Sequence, residues 1–414
     1  SGKITVTGMN RGGLFATAGR GEFPNLEATG ASGDIRVTTS ELTVRDGASV
    51  DVQSLGVGNT GNLEIFADSI LLGERGTISA ATQSWEGGNI YINTNTFQLD
   101  RGLINASIFG EGTEGAGGNI DIKARDSVKV VGSGFDFLQD NFFALRFLSP
   151  EALANLDPSG IIEGILAATT GNADAGKIDL KTASLELNNG GLIATSTVGN
   201  GTAGSIALDI SEFLKVDASI ITASTLSTGQ GGNIEINTGN LEVVAGGQII
   251  ASALASGDGG NLTIDASESV TIEGTLPNNI LAENLALMTT ENEADLTTAN
   301  SQLNINNSSA ISVASSGTGD AGTLNINADS IFLDRQGTIS AATQTGAGGN
   351  IMLTAGNIIW RGGSTTTATA LGSGNGGNIT INANNLVILE GSQLTADANQ
   401  GMGGNIEIDT QGSV

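Results

Sequence analysis

The sequence predicts an all-β solenoid, a chain that coils through many stacked turns of short parallel strands. Three observations predict it. A glycine-led motif returns at a nearly constant spacing, aliphatic and polar residues alternate after each glycine, and Gly and Asn fill the segments between. A fixed period of this kind is typical of repeat proteins, whose turns bury a core only by stacking on one another.

The motif reads Gly, a polar residue, Ile or Leu, any residue, and an aliphatic residue. Its surroundings repeat as well, because GTISAATQ occurs at 76–83 and again at 337–344, with GGNI after both copies. Most gaps between successive motifs are 27 or 28 residues. We call the first glycine of each copy an anchor glycine, and the anchors are Gly2, Gly33, Gly61, Gly88, Gly118, Gly176, Gly204, Gly232, Gly260, Gly322, Gly349, Gly377 and Gly404.

Each turn carries three short alternating runs, which predict three strands with one buried face each. We expect about 14 turns, each three-sided. The inward residues of one turn are predicted to be Ile234, Ile236, Leu241, Val243, Ile249 and Ala251. The equivalent set in a later turn is predicted to be Ile379, Ile381, Leu386, Ile388, Leu394 and Ala396.

Two gaps between anchors are longer, at 58 and 62 residues. The first is interpreted as one turn with an insertion at about 133–158. In the second, Ala-Asp-Leu at 294–296 stands where Gly-Asn-Ile is expected, and Leu303 and Ile305 follow in phase. We therefore expect a degraded extra turn there, with a small insertion at about 274–292. Otherwise the chain is predicted to be a single β-helix over residues 1–414.

Composition excludes several classes of function. The net charge of −27 disfavours a nucleic-acid partner, since phosphates would be repelled on average. The absence of Cys and His excludes disulfides, thiol chemistry, the usual zinc sites and His-based catalysis. No apolar run is long enough for a transmembrane helix. We expect neither a cofactor nor a resident metal.

Gly and Asn at the corners have structural interpretations. Gly is expected to supply the backbone angles of a tight corner, and stacked Asn side chains can hydrogen-bond along the ladder. A glycan or ion site on the Asn residues is the alternative. They follow the anchor glycine at positions 62, 89, 119, 233, 261, 350, 378 and 405.

Asp121 and Asp179 are the best catalytic candidates, because they occupy equivalent positions in adjacent turns and their carboxylates are expected about 5 Å apart. Lys123 and Lys181 follow on the same outward face, so an Asp–Lys surface ladder is the competing interpretation. The segment GDGGNLTID at 257–265 is compared with calcium-binding repeats, but Asp is not repeated there at ligand spacing.

The first insertion is the most apolar stretch. Its aromatic residues either pack on a flank of the coil or form an exposed patch for a neighbouring protein. The patch residues are Phe135, Phe137, Phe142, Phe143 and Phe147.

The GGN-[IL]-x-[IV] turns, the DAGK variant at 174–177 and PSG at 158–160 resemble the repeat region of the filamentous haemagglutinin family. The resemblance implies a right-handed parallel β-helix, export through an outer-membrane partner by two-partner secretion, and a role in adhesion or aggregation. It places the protein outside the cell or on the outer surface of a Gram-negative-type bacterium. The family's N-terminal secretion domain is not in this sequence, and the chain begins and ends inside a repeat. We therefore expect it to be a segment of a longer protein.

Two functions from different classes remain. The first is a structural or adhesive cell-surface rod without catalysis, which binds another protein or a glycan and self-associates into extracellular filaments. The alternative is a carbohydrate-active β-helix enzyme, a polysaccharide lyase or hydrolase. An enzyme is expected to concentrate acids and aromatics on one face, and the sequence shows no such cluster, with Trp85 in a corner loop and Trp360 at an inward position.

Overall fold

The structure, a computed structural model, describes residues 2–8, 12–18, 30–54, 58–82, 86–109, 115–141, 162–276 and 308–412. The chain divides into two compact units, Ser1–Ser211 and Glu212–Val414. Each unit has one sheet of longer strands and one sheet of three-residue strands. That the whole chain forms one continuous β-helix stays a prediction.

In the first unit the longer strands pair in the order β1-β4-β7-β9-β11-β13, and β3 pairs with β6, which pairs with β9. The short strands pair in the order β2-β5-β8-β10-β12-β14. The one described helix is α1 (Phe135–Asn141). The strands are β1 (Lys3–Thr7), β2 (Gly13–Phe15), β3 (Ile35–Thr38), β4 (Glu41–Arg45), β5 (Ser49–Asp51), β6 (Leu63–Phe66), β7 (Ser69–Gly73), β8 (Thr77–Ser79), β9 (Ile90–Asp100), β10 (Leu103–Asn105), β11 (Ile120–Val131), β12 (Gly164–Leu166), β13 (Ile178–Asn188) and β14 (Leu192–Ala194).

Strand β15 (Ile206–Asp217) begins in the first unit and ends in the second. In the second unit the longer strands pair as β17-β19-β21-β23-β25-β27 and the short ones as β16-β18-β20-β22-β24-β26. These strands are β16 (Ile220–Thr222), β17 (Ile234–Val244), β18 (Gln248–Ile250), β19 (Leu262–Glu273), β20 (Ala310–Ser312), β21 (Leu324–Asp334), β22 (Thr338–Ser340), β23 (Ile351–Trp360), β24 (Thr365–Thr367), β25 (Ile379–Leu389), β26 (Gln393–Thr395) and β27 (Ile406–Thr410).

The predicted fold class is confirmed, because the described residues form an all-β parallel solenoid of about 11 turns with almost no helix. The handedness and the exact number of turns stay predictions. Among the described residues, three separate strands per turn occur in the early turns, as β3, β4 and β5 and then β6, β7 and β8. From β9 onward the first two strands join into one, since β9 pairs with β6 through its first half and with β7 through its second.

The core is a set of aliphatic columns, in which each inward side chain lies on its counterpart in the next turn. All six inward residues predicted for the turn at Ile234 are buried. In register, Leu241 pairs with Val270, which pairs with Ile331, so one apolar column runs through β17, β19 and β21. Burying such columns removes apolar surface from water, which is the main favourable contribution to the stability of stacked turns.

The inward set predicted for the turn at Ile379 is wrong in its middle pair, Leu386 and Ile388, whereas Ile379, Ile381 and Ala396 are buried. Ile358 pairs with Val387 and Trp360 with Leu389, so the inward register passes from Leu386 and Ile388 to Val387 and Leu389. Val387 is buried, whereas Leu389 is 49% exposed. Strand β25 has one residue more than β23 at the register shift after Ala355. A one-residue bulge moves every following side chain to the opposite face.

The two insertions leave the solenoid without disturbing its ladders. Strand β11 pairs directly with β13, and β10 with β12, so the gap of 58 residues is a single turn, as expected. Strand β19 likewise pairs directly with β21, and β18 with β20. The degraded extra turn predicted at 294–305 is therefore wrong, because neither sheet has room for another strand between these pairs. Residues 277–307 themselves lie outside the described residues.

Anchor glycines are required for a reason other than the one expected. Their φ angles are not in the left-handed region. Instead, a Cβ on Gly88 would lie 2.0 Å from the carbonyl oxygen of Gly61, and one on Gly349 would lie 1.8 Å from that of Gly322. The same approach recurs at Gly118, Gly176, Gly204, Gly260, Gly322, Gly377 and Gly404, each against the preceding anchor. No side chain fits where successive backbones pass this closely.

We predict that Gly349→Ala destabilises the second unit by about 2 kcal/mol or more, because the new methyl group forces the turns apart. Gly403→Ala is the matched control, since its Cβ meets only an ordinary contact at 3.6 Å. Urea unfolding, followed by Trp360 fluorescence in a Trp85→Phe background, measures both variants. Equal unfolding midpoints would contradict the close-approach explanation.

We predict that Ile236→Asp costs roughly 3–5 kcal/mol, because it buries an unpaired carboxylate between stacked aliphatic side chains. Asn237→Asp, one residue further and exposed, is expected to be nearly neutral. The free energy of unfolding from denaturant titration distinguishes them. Similar losses for both variants would show that the inward and outward faces are assigned wrongly.

Candidate interaction surface

The Phe residues predicted to form a partner patch divide between described and undescribed parts of the insertion. Helix α1 follows Gly134, whose φ of +125° suits glycine. Phe135 is buried, with 4% of its surface exposed, and Phe137 is half-buried. Phe142, Phe143 and Phe147 lie outside the described residues. Phe135 thus packs inward and offers no surface to a partner, while the rest of the patch stays a prediction.

The base of this insertion is closed by one carboxylate. Glu163 accepts a hydrogen bond of 2.7 Å from the backbone N–H of Ser133 and one of 2.8 Å from its hydroxyl. These residues stand on either side of the inserted segment. The bidentate contact therefore holds the two ends together, so that β12 enters the short-strand sheet in register.

The catalytic candidates are neighbours in the sheet, as predicted. Asp121 pairs with Asp179 across β11 and β13, and Lys123 pairs with Lys181 in the same ladder. Lys123 Nζ lies 3.2 Å from Asp121 Oδ2, whereas Lys181 contacts Asp209 on β15 rather than Asp179. These side chains lie on the solvent-facing side of the sheet and form surface ion pairs, which is the arrangement that the Asp–Lys interpretation describes.

Lys123 is held in its charged form. The hydrogen bond that it donates to Asp121 and the charge of that carboxylate raise the pKa of Lys123, and Tyr91 and Asp179 add smaller effects in the same direction. Lys123 is exposed, so water screens the interaction. The pair is therefore a surface contact of small energy.

The Asn ladder has the structural role that was expected for it. Asn89 donates both its backbone N–H and its side-chain amide to Oδ1 of Asn62, at 3.1 and 3.0 Å. Asn119 does the same to Asn89, and in the second unit Asn378 does so to Asn350. Each Oδ1 thus accepts hydrogen bonds from the Asn of the next turn, so these side-chain carbonyl groups link one turn to the next.

A cluster on the outward face of the first unit was not predicted from the sequence. The rings of Phe66 and Tyr91 have centroids 5.6 Å apart and are tilted by 51°. The guanidinium of Arg36 lies 4.7 Å from the Phe66 centroid, and Lys123 Nζ lies 5.2 Å from the Tyr91 centroid. We call these four residues the ring platform. The sequence did contain one indication of this cluster. Phe66 and Tyr91 each directly follow an inward Ile of their motif, which places both rings on the outward face.

Carboxylates and an amide surround the ring platform. Arg36 Nη1 lies 2.9 Å from Glu64 Oε2, and Asn93 donates to the Tyr91 hydroxyl at 3.2 Å. Asp121 holds Lys123 on the opposite side. The platform crosses strands β3, β6, β9 and β11, and its rings are both half-buried. Its position on consecutive turns is what brings residues so distant in sequence together.

Other candidate sites receive no support from the geometry. Among the residues that the structure describes, no three acidic side chains are grouped to hold a metal ion. In the segment compared with calcium-binding repeats, Asp258 Oδ1 accepts the backbone N–H of Asp320 at 2.9 Å and so serves the corner. Trp360 is buried as predicted and donates to Thr366 Oγ1 at 2.9 Å, while Trp85 lies outside the described part.

Comparisons with known proteins add no assignment: no protein-family model, no curated protein and no solved structure matches the chain. Within the described ranges, no helix has the length and apolar character needed to cross a membrane. The surface of the first unit is therefore interpreted from its own residues.

We predict that Asp121→Asn lowers the pKa of Lys123 toward its ordinary value, because the main cause of the upward shift is removed. A raised lysine pKa stabilises the folded state below the unfolded pKa of about 10.4, and this contribution is lost as the pH rises through the folded value. NMR titration of the lysine side-chain signals measures the change. Asp209→Asn, which frees Lys181 instead, is the control, and an unchanged Lys123 pKa in Asp121→Asn would contradict the assignment.

Proposed function

We propose that the chain is part of a secreted or cell-surface structural and adhesive protein, in which the β-solenoid serves as a rod segment without catalytic activity. The observation that carries the proposal is that the residues repeated in every turn make the contacts between successive turns. The anchor glycines, the Asn ladder and the aliphatic columns all serve to place one turn on the next. A protein whose repeated residues stack one turn on the next is suited to forming an elongated structure with a large exposed surface.

The outer surface supports the same proposal. Its ion pairs lie along the strands and between neighbouring turns, as between Arg36 and Glu64 or Lys129 and Glu186. Such pairs stabilise little on their own but keep a large sheet face soluble. The chain has no Cys, so its folding does not depend on the redox state of the compartment.

The resemblance to the filamentous haemagglutinin family extends the proposal to export through an outer-membrane partner and to the outside of a Gram-negative-type cell. A solenoid whose turns contact only their neighbours folds progressively. Such a chain suits passage through a pore in an extended state, with each turn stacking on the one already folded. Filament formation by self-association belongs to this proposal as well.

We predict that antibodies against the folded chain label intact producing cells, and that protease added outside removes the signal, because the protein is exposed at the surface. An antibody against a cytoplasmic protein of the same cells serves as the control for lysis. Labelling only after permeabilisation would overturn the proposed location. Adhesion of beads coated with the chain to cells or polysaccharide films, compared with albumin-coated beads, tests the adhesive role separately.

A further inference from the structure

The ring platform is a local exception on a repetitive surface. Tyr91 is the single tyrosine of the chain. In the described strands of the second unit, the two equivalent outward positions carry neither an aromatic ring nor a cation. Those positions hold Glu235, Thr263, Asn325, Met352, Thr380 and Glu407 in one row, and Asn237, Asp265, Asn327, Thr354, Asn382 and Asp409 in the other.

Structural needs do not explain two aromatic rings at these positions. Neighbouring turns place Asp, Lys, Asn or Thr at the same points of the ladder and keep the pairing unbroken. Two half-buried rings on an open sheet face still leave apolar surface in contact with water. Tyr and Arg together are, in contrast, the residues that most often dominate binding surfaces.

The charge of the platform limits its partner. Arg36 is paired with Glu64 and Lys123 with Asp121, so the cations and carboxylates balance locally. The chain as a whole is acidic, with a net charge of −27 over its 414 residues. An anionic partner would therefore meet repulsion without a compensating excess of cations.

The size of the platform limits its partner too. Four neighbouring strands and two outward residues per strand span roughly 14 Å by 7 Å. A stable protein interface buries about 800 Å² on each side, with an apolar core. Two rings enclosed by charged and amide groups are too small a centre for that, but they match one or two sugar rings.

We propose that the ring platform binds a neutral saccharide, and this inference rests on the proposed adhesive function. The C–H face of a sugar packs on the rings of Phe66 and Tyr91. Arg36, Lys123, Asn93 and the Tyr91 hydroxyl donate to sugar hydroxyls, and Glu64 and Asp121 accept from them. Arg36 and Lys123 have side chains 66% and 50% exposed, held by surface ion pairs, so they move aside at little cost.

The single tyrosine provides the experiment. Protein labelled with ¹³C-tyrosine gives ring signals from Tyr91 alone, and these are followed while cellohexaose, laminarihexaose and mannohexaose are added separately up to about 10 mM, a range suited to weak single-platform binding. We expect a saturable shift with at least one of them. Phe66→Ala is expected to weaken the binding by about tenfold or more, as loss of a packed ring does.

Met352→Ala is the matched control, because Met352 is an exposed apolar residue at the equivalent outward position of β23 in the second unit. The affinity of the Met352→Ala variant for the saccharide is expected to equal that of the unaltered chain. Calorimetry with Tyr91→Ala, whose fold is checked by circular dichroism, is expected to show no binding. An alginate hexamer is the anionic arm and is expected not to shift the signals.

The proposal is overturned if none of the three neutral hexasaccharides shifts the Tyr91 signals, if Phe66→Ala and Tyr91→Ala retain the full affinity, or if the alginate hexamer binds more tightly than the neutral sugars. These results are distinct from the tests of the proposed function. If antibodies label intact cells but no saccharide shifts the Tyr91 signals, the saccharide site is excluded and the proposed surface rod stands. If saccharides shift the Tyr91 signals but the protein is found only inside cells, the proposed location is excluded and the saccharide site stands.

Discussion

The close approach of successive backbones at the anchor glycines is the constraint on which the rest of the structure depends. A carbonyl oxygen of one turn occupies the space that a Cβ of the next would need, as at Gly88 above Gly61. The Gly88 amide also donates to the carbonyl of Ala80 in its own turn, at 3.0 Å. This one point therefore sets both the distance between turns and the closure of each turn. The Asn that follows and the Ile after it are brought into line with their counterparts as a result.

Stacking at fixed points leaves the remaining positions free to differ. The outward rows of the long-strand sheet hold Asp, Lys, Thr and Asn in different turns without a change in pairing, and the ring platform lies on these rows. Energetically, the aliphatic columns and the backbone ladder stabilise the fold, while exposed ion pairs such as Lys3–Glu41 contribute little. The division between a fixed interior and a variable exterior explains how one repeat serves both as scaffold and as a carrier of local sites.

Periodicity was sufficient to predict the fold class and most of the core. Ile234 and Ile236 follow the anchor at fixed spacing, so their burial follows from the period alone. Leu386 and Ile388 could not be placed, because a bulge of one residue leaves the apolar pattern intact while reversing its face. Leu303 and Ile305 fit the period in the sequence, and the direct pairing of β19 with β21 is what excludes a further turn between these strands. The ring platform was missed because it combines residues from four turns, and the pattern within any single turn does not bring them together.

Both insertions leave their turns at the same kind of corner, between a long strand and the short strand that follows. In an ordinary turn this corner holds residues such as Ala245 and Gly246 in the left-handed region. In the turn of β19 it is replaced by a neck in which Thr275 and Ser308 form an antiparallel bridge, and β20 still pairs with both of its neighbours. The number of residues inserted at this corner therefore does not change the pairing of the strands on either side of it. A foreign peptide grafted between Ala245 and Gly246, with a neck copied from residues 274–276 and 308–309, would be displayed on the flank of the solenoid as a side branch.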